Sequence, residues 1–167
     1  MAGRGERLEP INIAVIGPGA MECLFAGYLS LSGHKLWLTD RKSVPGGYIV
    51  SWSGGKDSCL ALYKAIQKGY KVSYILNFIS KEFKRVSFHG TEAKLIKLQS
   101  EALEIPLLQK ETTPDGYEKE FKEAVRGLIP KGIKGIIFGD VYLEEHKKWA
   151  ERVCNELGIE AVEPLWG

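Results

Sequence analysis

The chain predicts an α/β fold built on a mostly parallel sheet, with a short β-α-β extension ahead of the main domain. Three observations carry this. Apolar, β-branched runs alternate with helix-patterned stretches of roughly ten to fifteen residues, the signature of strands joined by helical crossovers. Twice an apolar run feeds a glycine-rich turn that opens a helix, at Gly17–Gly19 and at Gly54–Gly55. The bulk composition, 44% hydrophobic and 26% charged over 167 residues with a net charge of +2, is that of a globular protein with enough apolar material for a true core.

Taken in order, residues 1–10 read as a tail, 11–16 as a buried strand, 20–31 as a helix and 35–39 as a second strand. Residues 43–47, Ser-Val-Pro-Gly-Gly, have the composition of a linker, so one unit spans 11–42 and a larger one 48–167. In the larger unit the pattern predicts a strand over 48–52, a helix over 58–68, a strand over 71–78, a helix over 91–103 and a short strand over 107–110. A helix over 117–128, a strand over 134–138, a helix over 143–157 and a last strand over 159–162 follow. In such a sheet, active-site groups lie beyond the carboxyl ends of the strands. Phe121, Val125, Leu128, Val153 and Leu157 are core by spacing, and Trp149 reads as packing.

The turn Ser53-Gly54-Gly55-Lys56-Asp57-Ser58 sits at such a position. A strand entering a helix through glycines aims unpaired N–H groups and the positive end of the helix dipole at one point, which suits an anion. The glycines admit close approach of phosphate oxygens, Lys56 adds a mobile positive charge, and Ser53 and Ser58 add hydroxyls, Ser58 also being a candidate helix cap. The bland alternative is a plain strand-to-helix turn with polar caps. The spacing is not that of Walker A, which places four residues between its first glycine and the Gly-Lys pair. It resembles instead the SGGKDS signature of the PP-loop ATP pyrophosphatases of the HUP fold group, enzymes that cleave ATP between the α and β phosphates and transfer AMP.

From Tyr48 onward the resemblance narrows to the N-type pyrophosphatases that include diphthine-ammonia ligase, which amidates the modified histidine of elongation factor 2. The segments that carry it are YIVSWSGGKDSCLALYKA, the Phe-His-Gly at 88–90, QSEALEIPLL, GDVYLEEHKKWAERVC and EPLWG. The resemblance implies that Ser53, Gly54, Gly55, Lys56, Asp57 and Ser58 hold the ATP phosphates, with Asp57 helping to place Mg²⁺ and Lys56 offsetting charge on the departing pyrophosphate. It implies backbone groups near Asn77 for adenine, and His89 as a cover for the nucleotide, against the alternative of a surface histidine at a helix start. Gly139 and Asp140 follow a strand on the same side as the phosphate loop and form a second wall. Asp140 binds Mg²⁺ or the substrate amine, or caps the next helix. Catalytic roles thus fall to Lys56, Asp57 and Asp140, the cofactors expected are ATP and Mg²⁺, and the partners are diphthine-bearing elongation factor 2 and free ammonium. The alternative is a nucleotide-binding module, or an incomplete or fused protein without full catalysis: the family continues past its PLWG segment, and this chain ends at Gly167. Exposure of Trp166 and of the strand at 159–162 is then expected, with self-association into a homo-oligomer.

The 11–42 stretch, with Gly17-Pro18-Gly19 after its first strand and Asp40-Arg41 at the end of its second, is similar to the N-terminus of ketopantoate reductases. Glu22 takes the place of the third glycine of that fingerprint and puts a carboxylate where a pyrophosphate would lie, so the expectation is a structural add-on rather than a working dinucleotide site. Cys23, Cys59 and Cys154 are far apart with no Cys-x-x-Cys pair, which points away from zinc and disulfides and toward a reducing cytoplasm. The apolar stretch 11–31 is interrupted by glycines, Pro18 and Glu22, so no membrane segment is read. Lysines interleaved with glutamates describe solvated helix faces, and no nucleic-acid partner is expected.

Overall fold

A computed structural model describes residues 46–87 and 90–166. The proposed tail, the β-α-β segment at 11–42 and most of the linker lie outside the described residues, as does His89. Five strands form one sheet: β1 (Tyr48–Ser51), β2 (Val72–Ser80), β3 (Leu107–Thr112), β4 (Gly135–Ile137) and β5 (Glu160–Val162). The order is β3-β2-β1-β4-β5 and every pairing is parallel. The crossovers are α1 (Lys56–Gln67), α2 (Ala93–Leu103), α3 (Tyr117–Arg126) with a 3₁₀ turn at Ile129–Lys131, and α4 (Glu144–Leu157). This is the parallel-sheet Rossmann-like architecture expected.

Strand periodicity separates the two cores. Ile49, Leu76 and Ile136 turn to the face covered by α3 and α4, where Phe121, Val125 and Val153 are fully buried. Their neighbours Val50, Ile75 and Ile137 turn to the other face, against Ala61 and Leu62 of α1 and Ile96 of α2. Sheet strands buried on both faces read as continuous apolar runs, which is why β1 and β4 are so legible. Cys154 sits in the first core, where burial pushes its thiol up to about 12.

Two features depart from the expected pattern. The first helix begins at Lys56 rather than at 58, so half of the SGGKDS turn is already helical. After β2 the chain also makes two isolated antiparallel bridges, Ile79 to Val86 and Arg85 to Glu92, a small excursion at the carboxyl edge of the sheet that alternation alone does not predict. Its turn is closed by Ser80 N–H donating to the Arg85 carbonyl at 2.7 Å. Among the described residues no helix is long and apolar enough to cross a membrane.

Candidate functional site

The central strand β1 has neighbours on both sides, and its carboxyl end delivers the glycine turn to the middle of the sheet edge. The first bond of the α1 ladder runs from Cys59 N–H to the Gly55 carbonyl at 3.2 Å, which leaves the amides of Lys56, Asp57 and Ser58 ahead of the ladder and pointed out of the helix end. Gly55 is the N-cap residue, in extended conformation. Ser58 is therefore not the cap proposed from sequence: as the third helical residue it donates its hydroxyl back to the Gly55 carbonyl at 3.0 Å. Ser53 Oγ lies 3.4 Å from Ser58 Oγ and accepts the Gly55 N–H, so both hydroxyls hold the turn in shape.

Gly54 explains the glycine requirement. Its φ is +82°, and an added Cβ would meet Ile96 Cδ1 at 2.5 Å and Gln99 Oε1 at 3.0 Å. Gln99, buried in α2, is the fastener of this turn: its oxygen accepts the Trp52 indole N–H at 2.8 Å and its amide donates to the Gly54 carbonyl at 3.1 Å. Asn77 performs the matching task from β2, donating to the Trp52 carbonyl at 2.8 Å and accepting from Gln109 of β3 at 2.8 Å. Its side chain is thus spent on tying strands together. Sequence reasoning missed Trp52, Gln99 and Gln109 as site builders. The available signal was a lone glutamine at 99, three residues after Ile96 on the apolar face of a helix.

The second wall comes from β4. A Cβ on Gly139 would lie 2.9 Å from Ser58 N and 3.0 Å from the Asp57 carbonyl carbon and oxygen, so the loop after β4 rests directly on the first turn of α1. Asp140 follows and stands 2.9 Å from His146 Nδ1. The cap of α4 is Leu143, without a side-chain hydrogen bond, so the capping role considered for Asp140 does not occur. Ser53, Asp57, Ser58, Asn77, Gly139 and Asp140 all line one cavity of about 650 Å³. Lys56 is not among the lining residues; its side chain is exposed, with Nζ 2.7 Å from Asp57 Oδ2.

The remaining lining is aromatic. Phe78, Tyr117, Phe138 and Trp149 border the cavity on the α3–α4 side, with Tyr117 ring centroids 5.1 Å from Phe78 and 5.8 Å from Trp149. Burial, and secondarily the charge of Asp140, pushes the Tyr117 phenol up to about 12. Trp149 is fixed from behind by Glu118, which accepts its indole N–H at 2.8 Å and both Arg152 amino groups. The hydrogen bonds from Arg152 and Lys122 hold the Glu118 carboxyl well below the usual range. Among the described residues no three His, Cys, Asp or Glu side chains gather as a ready-made metal cage.

An amide-lined helix end beside a roomy cavity is what the SGGKDS resemblance leads one to look for, and comparison with protein families agrees with it. Residues 46–161 match the diphthamide synthase N-terminal domain. The chain belongs to that family. Membership makes this a PP-loop domain with an ATP-utilising role in diphthamide biosynthesis. A search of curated proteins returned no match.

Proposed function

We propose that this domain binds Mg·ATP at the Ser53–Ser58 turn and activates a carboxylate as an acyl adenylate for amidation by ammonia, the diphthine-ammonia ligase reaction. In that reaction a carboxylate oxygen attacks the α-phosphorus, the bond to the β-phosphate oxygen breaks and pyrophosphate departs. Ammonia then displaces AMP from the acyl carbon. The observation that carries this reading is the set of amides of Lys56, Asp57 and Ser58 left ahead of the α1 ladder, at a turn whose Ser53, Asp57 and Ser58 line one cavity with Gly139 and Asp140.

The donor set fits the nucleotide better than a free metal. Asp57, Asp140 and Glu145 line the cavity, yet among the described residues no three such side chains gather around one point, so Mg²⁺ binding would draw on the nucleotide phosphates as well, which is the usual habit of that ion. Bound there, the ion would supply charge neutralisation on the phosphates. Lys56, released from Asp57, reaches over the departing pyrophosphate, and a cation positioned at developing charge supplies electrostatic stabilisation that substrate binding alone does not. Adenine is left with backbone groups of β2, because the Asn77 amide is already engaged on both sides. Asp140, paired with His146, holds the incoming amine. A cytoplasmic setting accompanies the reading.

The test is product identity. With elongation factor 2 bearing diphthine, ammonium and Mg·ATP, the protein should form AMP and pyrophosphate in equal amounts. Release of ADP and orthophosphate, or no nucleotide turnover with a properly folded sample, refutes the adenylation reading.

A further inference from the structure

We propose that Gln99 is a positioning residue: it holds the peptide plane between Gly54 and Gly55 with its N–H, rather than its carbonyl, turned to the side where an anion would lie. The nature of that anion as a nucleotide phosphate rests on the ligase reading above; the orientation itself rests on the hydrogen bonds. A trans peptide points its N–H and its carbonyl in opposite directions. Here the Gly54 carbonyl accepts from the Gln99 amide at 3.1 Å, and the Gly55 N–H donates to Ser53 Oγ at 3.3 Å, on the side of the cavity that Ser53 lines. That second bond is long, so a phosphate oxygen can replace the hydroxyl as acceptor.

The Gln99 amide has its orientation imposed on it. Trp52 Nε1 can only donate, so the Gln99 oxygen must face it, at 2.8 Å, and the amino group is left for Gly54. Both side chains are buried, where an unpaired amide or indole N–H is costly. The backbone makes no such selection. Half a turn of the peptide plane changes little besides ψ of Gly54 and φ of Gly55, and would carry the latter from −94° into the positive region that glycine enters freely. The conformation seen does not demand glycine at 55, since its φ is ordinary and an added Cβ would meet only Ser53 Oγ at 3.5 Å. The flipped plane would aim the Gly54 carbonyl oxygen at the anion and turn an attraction into a repulsion. With two glycines in succession both orientations are open to the backbone, and the Trp52–Gln99 pair decides between them.

Gln99→Met keeps the length of the side chain and removes its donor. By NMR of the isotope-labelled full chain, the wild type should show one set of resonances for the Gly54 carbonyl carbon and the Gly55 amide, whereas Gln99→Met should broaden or split them and leave those of Ile136, in β4, sharp. Titrated by calorimetry with inorganic pyrophosphate and, separately, with Mg·ATP, the variant should bind both about tenfold more weakly. Adding Gly55→Ala to Gln99→Met should restore the single set, because alanine disfavours positive φ by about five- to thirtyfold. A general loss of packing would not be reversed by a methyl at the turn. Trp52→Phe, which removes the donor that orients the amide, should broaden the same two resonances, and decides the matter if Gln99→Met fails to fold. Unchanged resonances, a flipped plane without loss of pyrophosphate affinity, no restoration by Gly55→Ala, or a folded wild type that binds neither anion overturns the proposal. Wild-type protein that binds pyrophosphate but not Mg·ATP would sink the ligase reading and leave this one standing.

Discussion

Replacing Gly54 by alanine should destabilise the protein by roughly 2–5 kcal/mol, from two separable causes. At φ +82° an L-residue pays about 1–2 kcal/mol for the left-handed region. The new methyl also meets the end of the fully buried Ile96 side chain, Cδ1, at 2.5 Å, so the core around it must shift. Overpacking of that kind costs about 1–3 kcal/mol. Such a loss is a large share of a typical stability of about 5–15 kcal/mol and should lower the melting temperature by roughly 8–20 °C. The neighbouring Gly55 is the control: its φ is −94°, and a Cβ there would meet only Ser53 Oγ at 3.5 Å. Gly55→Ala should melt close to wild type while weakening ATP, because its methyl stands where phosphate would approach. Differential scanning calorimetry of both variants, with ATP titrations on each, is the assay. Gly54→Ala melting within about 2 °C of wild type, or the two variants losing equal stability, refutes the reasoning.

Lys56→Ala should weaken Mg·ATP about ten- to a hundredfold by calorimetry, the value of one charge-assisted contact of about 1.5–3 kcal/mol, with little change in melting since the side chain is exposed. Phe121→Ala removes a fully buried ring from the centre of the α3–α4 core and should cost about 3–5 kcal/mol in urea unfolding. Glu163 has a buried Oε1 with no hydrogen-bond partner among the described residues, and burial raises its pKa. Its neutral form is the one the fold favours, so its stabilising contribution is complete below the ordinary glutamate value and is lost as pH rises through the raised value. Glu163→Gln should therefore melt higher than wild type at neutral pH and converge with it in acid, as read by thermal denaturation across that range.

The sheet was legible because its strands are buried on both faces, so that Ile49-Val50 and Ile136-Ile137 stand out as unbroken apolar pairs between helical stretches. The Ser53–Ser58 turn was legible as a turn between a strand and a helix because two glycines there follow an apolar run and precede a helix-patterned one. What holds that turn was not. Gln99 from α2 and Asn77 from β2 act on Gly54 and Trp52, partners distant in sequence that nothing in a linear pattern joins. Ser58 was misread as a cap because the helix starts inside the motif, two residues earlier than its apolar periodicity announces. Asp140 looked like a cap for the same reason: a short polar residue before a helix is ambiguous until its neighbour His146 is in place.

The contact between Gly139 and the first turn of α1 also bears on how the chain folds. One partner of β1, β2, is the next strand after the glycine turn and α1, but the other, β4, arrives only near the end of the domain, with Tyr48 opposite Gly135. Pairing over so long a loop is entropically slow. Until it happens the Ser53–Ser58 turn exists with one wall, and the groove that the Gly139 backbone closes against Asp57 does not. A nucleotide that needs both walls can bind only the completed sheet, so its stabilisation by mass action should appear chiefly as slower unfolding rather than faster folding.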